Sequence, residues 1–213
     1  MTNAEIGPGE FYPVVGVGPH PKPWPTGEQF DPELLEKGDR RNVLDKYRYW
    51  SVSAIVTDLN LRRNPLRIAI ENWQHDLNIG SIVRTANAFN VASVHIVGKR
   101  DWNKRGAMVT DRYLEVIHHP DIPDFKSWFD ERTIEIIGID NVDGATSLEK
   151  AKLPKECVLL FGQEGAGMSD EAIAACSRIL AISQYGSTRS MNASAAGAIA
   201  MYAWGMQHLP MKS

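Results

Sequence analysis

Beyond Asn64-Pro65 the chain alternates between short, continuously apolar runs and stretches of helical spacing, which constrains its fold more than any other feature. The runs at 66–72 (LRIAIEN) and 91–98 (VASVHIVG) are β-branched and of strand length, and 133–139, 157–162 and 179–182 add three more. Between the first two, Ile79, Ile82, Val83, Ala86 and Phe89 recur at helical spacing behind Asn78, which is placed to cap the helix. A further helix, SDEAIAACS, separates the last two strands. Continuously apolar strands must be covered on both faces, so the pattern predicts an α/β fold with a mostly parallel sheet and helices on both sides. Ligands in such sheets bind beyond the carboxyl ends of the strands, which directs attention to the loops after Asn72, Gly162 and Ile182.

The N-terminal part obeys different rules. Seven prolines and five glycines between Gly7 and Pro32 exclude a regular helix or strand interior there, so an extended arm is expected. Short basic helices should follow, with Asp31 capping and Pro32 at the first helical position. The expected organisation is an arm and basic extension over 1–63 and a larger domain over 64–213. The net charge of -3 conceals a gradient: 37–112 carries 14 Lys and Arg against 7 Asp and Glu, which makes that stretch a candidate polyanion face. Without a basic n-region, signal-length apolar run or membrane-span-length segment, a cytoplasmic protein is expected. Cys157 and Cys176 read as reduced core residues, and His118-His119 lacks ligand partners at metal-binding spacing, so no metal is expected.

Three loops carry the chemistry. GQEGAGMS (162–169) matches a phosphate-loop template except that Met168 replaces the lysine; without that cation a nucleoside triphosphatase is disfavoured. Its glycines permit positive φ and close backbone approach around one carboxylate, Glu164. ENWQHDLNIGSIVRTAN (71–87) sets Arg84 as the one charge among apolar and small residues from Ile79 to Phe89, either as half of a structural ion pair or aimed at an anion. QYGSTRSMNASAAGAI (184–199) crowds hydroxyl and amide groups before an alanine-rich helix. Capping by Ser190 or Asn192 explains only one of them.

In this order and spacing, NIGSIVRTANAF, LLFGQEGAGMS and ISQYGSTRSMNASAAGAI resemble the three motifs of the SPOUT superfamily of RNA methyltransferases, SpoU or TrmH type, over roughly 66–209. The resemblance implies a C-terminal trefoil knot, an exception to the general absence of threading. It implies S-adenosyl-L-methionine as cofactor, held bent by the loops after Ile139, Gly162 and Ile182, with Gly167, Glu164, Ser190 and Met191 among its contacts. It assigns Asn78 and Arg84 to the first motif, Glu164 to the second, and Ser190 and Asn192 to the third. Two positions depart from the family pattern: Ser183 stands where proline is usual, and Met191 where leucine is.

The reaction so implied is methyl transfer to a ribose 2′-hydroxyl of tRNA or rRNA by a homodimer, with Arg84 often serving near the partner's cofactor. Arginine does not readily surrender a proton, so positioning and charge stabilisation are its expected work. GKRDWNKRG (98–106) offers Lys99, Arg100, Lys104 and Arg105 around Trp102 for RNA contact, although Trp102 could equally anchor its loop to the core. Two rivals remain: a non-catalytic RNA-binding module of the same fold, and a nucleotide-binding enzyme using the Gly162 loop.

Overall fold

A computed structural model describes residues 16–74, 78–163 and 165–210, which fall into two compact units, Met1–Asp58 and Leu59–Ser213. Glu164 of the second motif, and His75, lie outside the described residues.

In the first unit, helix α1 (Pro32–Lys37) is capped by Asp31, whose carboxylate accepts from the Glu33 and Leu34 N–H groups, and stops at Gly38, where φ is 93°. It is acidic at its start rather than basic, and the following basic residues form only a 3-10 turn at Asp45–Tyr47. The described part of the arm is pinned by antiparallel bridges, Val17 to Asp39 and Phe30 to Trp50. Asp39 organises this unit. Fully buried, it accepts from Arg41 Nε at 2.9 Å, Arg41 Nη2 at 2.7 Å and the Tyr49 N–H at 3.0 Å. Burial alone would raise its pKa, but Arg41 and the backbone donors together hold it down to about 2. A depressed carboxylate contributes stability above its unfolded pKa and loses it as pH falls through the folded one. Amide protection factors in residues 16–58 of the full chain, corrected for the intrinsic exchange rate, should therefore fall between about pH 4 and pH 2, and Asp39→Ala should cost about 3 kcal/mol at neutral pH by stranding Arg41. Unchanged protection in the variant would show that the pair is not structural. Helix α2 (Val52–Asn60) was not evident in the sequence.

The second unit is built on a seven-stranded sheet whose strand pairs are all parallel: β1 (Asn64–Asn72), β2 (Val91–Gly98), β3 (Val116–His119), β4 (Glu135–Ile139), β5 (Thr146–Ser147), β6 (Cys157–Phe161) and β7 (Arg178–Ala181). Their order is β3-β2-β1-β6-β4-β7-β5. Side chains in β1, β2 and β6 are buried almost throughout, as strands covered on both faces require. Helices α3 (Asn78–Ala88) and α6 (Ala193–His208) cover one face, and α4 (Ile122–Asp130) and α5 (Asp170–Ala175) the other.

Several element boundaries differ from the sequence reading by one or two residues, two of them at positions that matter here. β4 begins two residues later than expected because Thr133 is left-handed, with φ of 55°, and cannot continue a strand. Asn78 is the first residue of α3 rather than the residue before it.

Beneath α4 lies a buried polar chain. His119 Nδ1 donates to Asp124 Oδ2 at 2.7 Å, so in the neutral ring Nε2 accepts, at 2.8 Å, from His95 Nδ1. His95 Nε2 then accepts from Ser93 Oγ at 2.9 Å. Burial pushes His95 down to about 2, which keeps it neutral and fits this proton order. His119 thus has a carboxylate partner that the sequence reading did not find, and it is a hydrogen-bonding one. Both cysteine thiols are pushed up to about 12 by burial, in keeping with inert core residues.

Candidate active site

The loops after β4, β6 and β7 surround one cavity of about 520 Å³ beyond the strand ends. Ile139, Gly162, Gly167, Ile182, Ser190, Met191 and Asn192, all singled out from the sequence, line it. The β6 loop is folded back on itself: the Gln163 and Gly167 backbones exchange two hydrogen bonds of 3.0 Å, Gly165 and Gly167 have φ of 86° and 71°, and a Cβ on Gly162 would sit 2.1 Å from the Gly167 carbonyl carbon. Met168, at the position of a phosphate-loop lysine, is buried with its side chain against Gly138. That slot belongs to the core and presents no cation to a triphosphate.

The loop is tied down on two sides. Asp140 Oδ2 accepts from the Met168 N–H at 2.7 Å. On the other side, Glu71, fully buried at the end of β1, accepts from Ser169 N at 2.9 Å, Ser169 Oγ at 2.7 Å and Trp73 Nε1 at 2.8 Å. Neither acid was singled out from the sequence. Asp140 directly follows a strand that was recognised, and this was the available signal; Glu71 sits inside an apolar run, where only its charge marked it.

The third motif divides its labour. Asn192 alone caps α6, its Oδ1 accepting from Ser194 N at 3.0 Å, while Ser190 is exposed in the cavity wall and caps nothing. Asn192 Nδ2 also donates to Asn78 Oδ1 at 2.8 Å, which joins the first and third motifs across 114 residues of sequence. Ser183 uses the N–H a proline would lack: it donates to Glu149 Oε1 at 2.9 Å. With the Ser147 hydroxyl as the largest influence, these donors hold Glu149 down to about 2. The departure at Ser183 therefore gives the β7 loop an anchor.

Arg84 stands apart. It is exposed on α3, does not line the cavity, and forms no ion pair among the described residues. The basic loop is packed against the first turn of α3, where a Cβ on Gly80 would lie 2.8 Å from Ala107 N and 2.9 Å from Asn103 O. Lys99, Arg100, Lys104 and Arg105 are all exposed there, and Trp102 is half-buried against the core, so the anchoring role is real.

A parallel α/β unit with two motif loops around one cavity, and the first motif tied to it through Asn78 and Asn192, defines a class, and comparison with known proteins gives its family. The family model described as SpoU rRNA Methylase family matches residues 65–202, and the chain belongs to that family. The chain is 28% identical over 153 residues to the tRNA (guanosine(18)-2'-O)-methyltransferase of Escherichia coli K12, covering 70% of this chain and 67% of that one. To the enzyme of the same name from Thermus thermophilus it is 29% identical, with 69% and 78% covered. Among solved structures, a TrmH/SpoU tRNA modifying enzyme from A. aeolicus superposes with a TM-score of 0.65 at 22% identity, over 73% of this chain and 81% of that one. The SpoU methyltransferase AviRb from Streptomyces viridochromogenes, solved with the cofactor AdoMet, superposes with a TM-score of 0.62 at 24% identity, over 68% and 58%.

Proposed function

We propose that this protein transfers a methyl group from S-adenosyl-L-methionine to a ribose 2′-hydroxyl of tRNA or rRNA. The observation that carries the reading is the convergence of the second- and third-motif loops with the loop after β4 on one cavity at the carboxyl ends of β4, β6 and β7, the first motif being joined to it through Asn78 and Asn192. Family membership and the names of the relatives point the same way, and neither favours a non-catalytic module. The buried Met168 argues against the nucleotide-binding alternative.

The cavity suits the cofactor in size and chemistry. Its walls combine apolar side chains such as Ile139, Phe161 and Ile182 with glycines, alanines and polar groups, and the missing Cβ of Gly162 lets the β6 loop close tightly. Ile139, Gly162, Gly167, Ile182, Ser190 and Met191 would hold it, with Asp140 fixing the loop between them. When bound, S-adenosyl-L-methionine supplies an electrophilic methyl group with a good leaving group. The chain must then place the acceptor hydroxyl in line and stabilise it as its proton departs. We assign Ser190 and Asn192 to the nucleotide side of the cavity, with Asn78 holding Asn192, and Arg84 to charge stabilisation.

Arg84 points to a second subunit, because it lies off its own chain's cavity. The α6 surface supports this: Ile199, Tyr202 and Met206 are 42%, 60% and 55% exposed at positions i, i+3 and i+7, an apolar stripe of the kind that a homodimer covers. The last described helix, α6, packs on α3 although β7 lies three strands away from β1. That return path is the one a C-terminal trefoil knot would take, and we include the knot in the proposal.

The calorimetric expectation is saturable binding of S-adenosyl-L-methionine and none of GTP. GTP binding without cofactor binding would overturn the assignment. For RNA contact, Lys104→Glu with Arg105→Glu should weaken binding and reduce the salt slope by about two, leaving cofactor affinity unchanged. Arg105 should contribute more, since Lys104 is already paired with Asp111 at 3.1 Å. An unaltered salt titration would remove this loop from the interface.

A further inference from the structure

A second cavity, of about 480 Å³, opens beside the 99–114 loop, apart from the cofactor cavity. Its floor is apolar, formed by Ile96, Leu114 and Val116, and Trp102 stands in its wall. Arg100 and Lys104 bring donors to it, and Asp111 brings an acceptor. His118 Nε2 donates to Gly98 O at 2.8 Å, so the neutral ring keeps Nδ1 as a further acceptor.

This mixture selects the kind of occupant. A bare phosphate is disfavoured because Asp111 holds Lys104 at 3.1 Å and repels an anion at the same wall. A metal ion is disfavoured by the two cationic side chains. A flat aromatic group whose edge carries both donors and acceptors satisfies the floor, the indole and the polar rim together.

The loop is also built rather than incidental. Asn72, fully buried, donates through Nδ2 to Lys99 O at 2.7 Å and to Asp101 O at 2.9 Å. Met108 and Val109 are successively left-handed, with φ of 47° and 66°. For a β-branched residue that is a true outlier, and such strain concentrates where a loop must present particular groups. The turn leads into the segment that carries Asp111 to face Lys104.

We propose that this cavity is a second RNA subsite that takes an unpaired nucleobase outside the methyl-accepting ribose. The proposal rests on RNA being the substrate. It places the base on Trp102 and its edge against Arg100, Asp111 and His118, with Lys104, held by Asp111 and 5.5 Å over the indole, at the rim.

The test compares a short single-stranded RNA with an abasic ribose-phosphate chain of equal length, at fixed salt and without cofactor. The native protein should bind the RNA more tightly. Trp102→Ala should lower RNA affinity about tenfold, to near that of the abasic chain, whose own affinity should not change. Trp102→Phe should restore most of the loss. Because Trp102 also packs on the core, Val116→Phe provides a second route: it fills the floor and should give the same base-selective loss if Trp102→Ala does not fold. Undiminished RNA affinity in the folded variants, or equal losses for both chains, would overturn the subsite while leaving the methyltransferase reading intact. Failure of the native protein to bind RNA at all would remove both.

Discussion

Arg84→Ala is expected to cut methyl transfer about a thousandfold while leaving S-adenosyl-L-methionine affinity unchanged. The two effects separate because Arg84 is exposed, lies off the cofactor cavity, and has no ion-pair partner among the described residues whose loss would unsettle α3. The buried face of that helix is made by Ile79, Ile82, Val83 and Ala86, which the substitution does not touch. In the proposed role the substitution removes a cation that would stabilise the developing alkoxide, an interaction that would strengthen as the reaction proceeds. Single-turnover assays with RNA, paired with cofactor calorimetry, measure both quantities. Retained turnover would exclude Arg84 from the chemistry, and a parallel loss of cofactor binding would move it into the cofactor site.

Gly162→Ala is expected to lower cofactor affinity at least about a hundredfold, which corresponds to about 2.8 kcal/mol. The added methyl would stand 2.1 Å from Gly167 C, 2.2 Å from Met168 N and 2.4 Å from Gly167 O. All three are backbone atoms, so no side-chain rotation relieves the overlap. The loop would have to release its paired hydrogen bonds between Gln163 and Gly167, or its anchor to Asp140, and either change reshapes the cavity wall. Full cofactor affinity in a folded Gly162→Ala protein would show that this loop is not the cofactor wall. The two variants also test the dimer together. If Arg84 serves its partner's cavity, mixing Arg84→Ala with Gly162→Ala protomers should restore activity, because one composite site then carries both native residues. No restoration on mixing would place Arg84 at its own chain's site.

The parallel sheet was legible because its central strands are buried on both faces and carry unbroken apolar runs; β2 falls at the residues expected, Val91–Gly98. Strand β5, two residues long, carries no periodicity to read. β3 was hidden for another reason. Its first three residues are only half-buried, and His118 and His119 interrupt the apolar pattern with groups whose partners, Gly98 O and Asp124, are brought to them by the fold. Helix α4 did leave a signal, Asp121 as cap with Pro123 in the first turn. In the site, glycines and caps showed which loops mattered, and the cavity joins most of the residues they marked. The ties that hold the loops, Glu71 to Ser169, Asp140 to Met168 and Glu149 to Ser183, span 98, 28 and 34 residues. No local pattern encodes a pairing at such separations. The second cavity is likewise assembled from segments that only sheet register and the packing of Gly80 bring together.

The central claim is that the loops after β4, β6 and β7 present a methyl donor to a sugar oxygen. Nucleoside mass spectrometry tests it most directly, on unmodified tRNA and rRNA incubated with the full chain and S-adenosyl-L-methionine. The account predicts a new nucleoside whose added methyl stays with the ribose fragment after the glycosidic bond is broken. A methyl that travels with the base, or RNA unchanged by a protein that binds the cofactor, would contradict it.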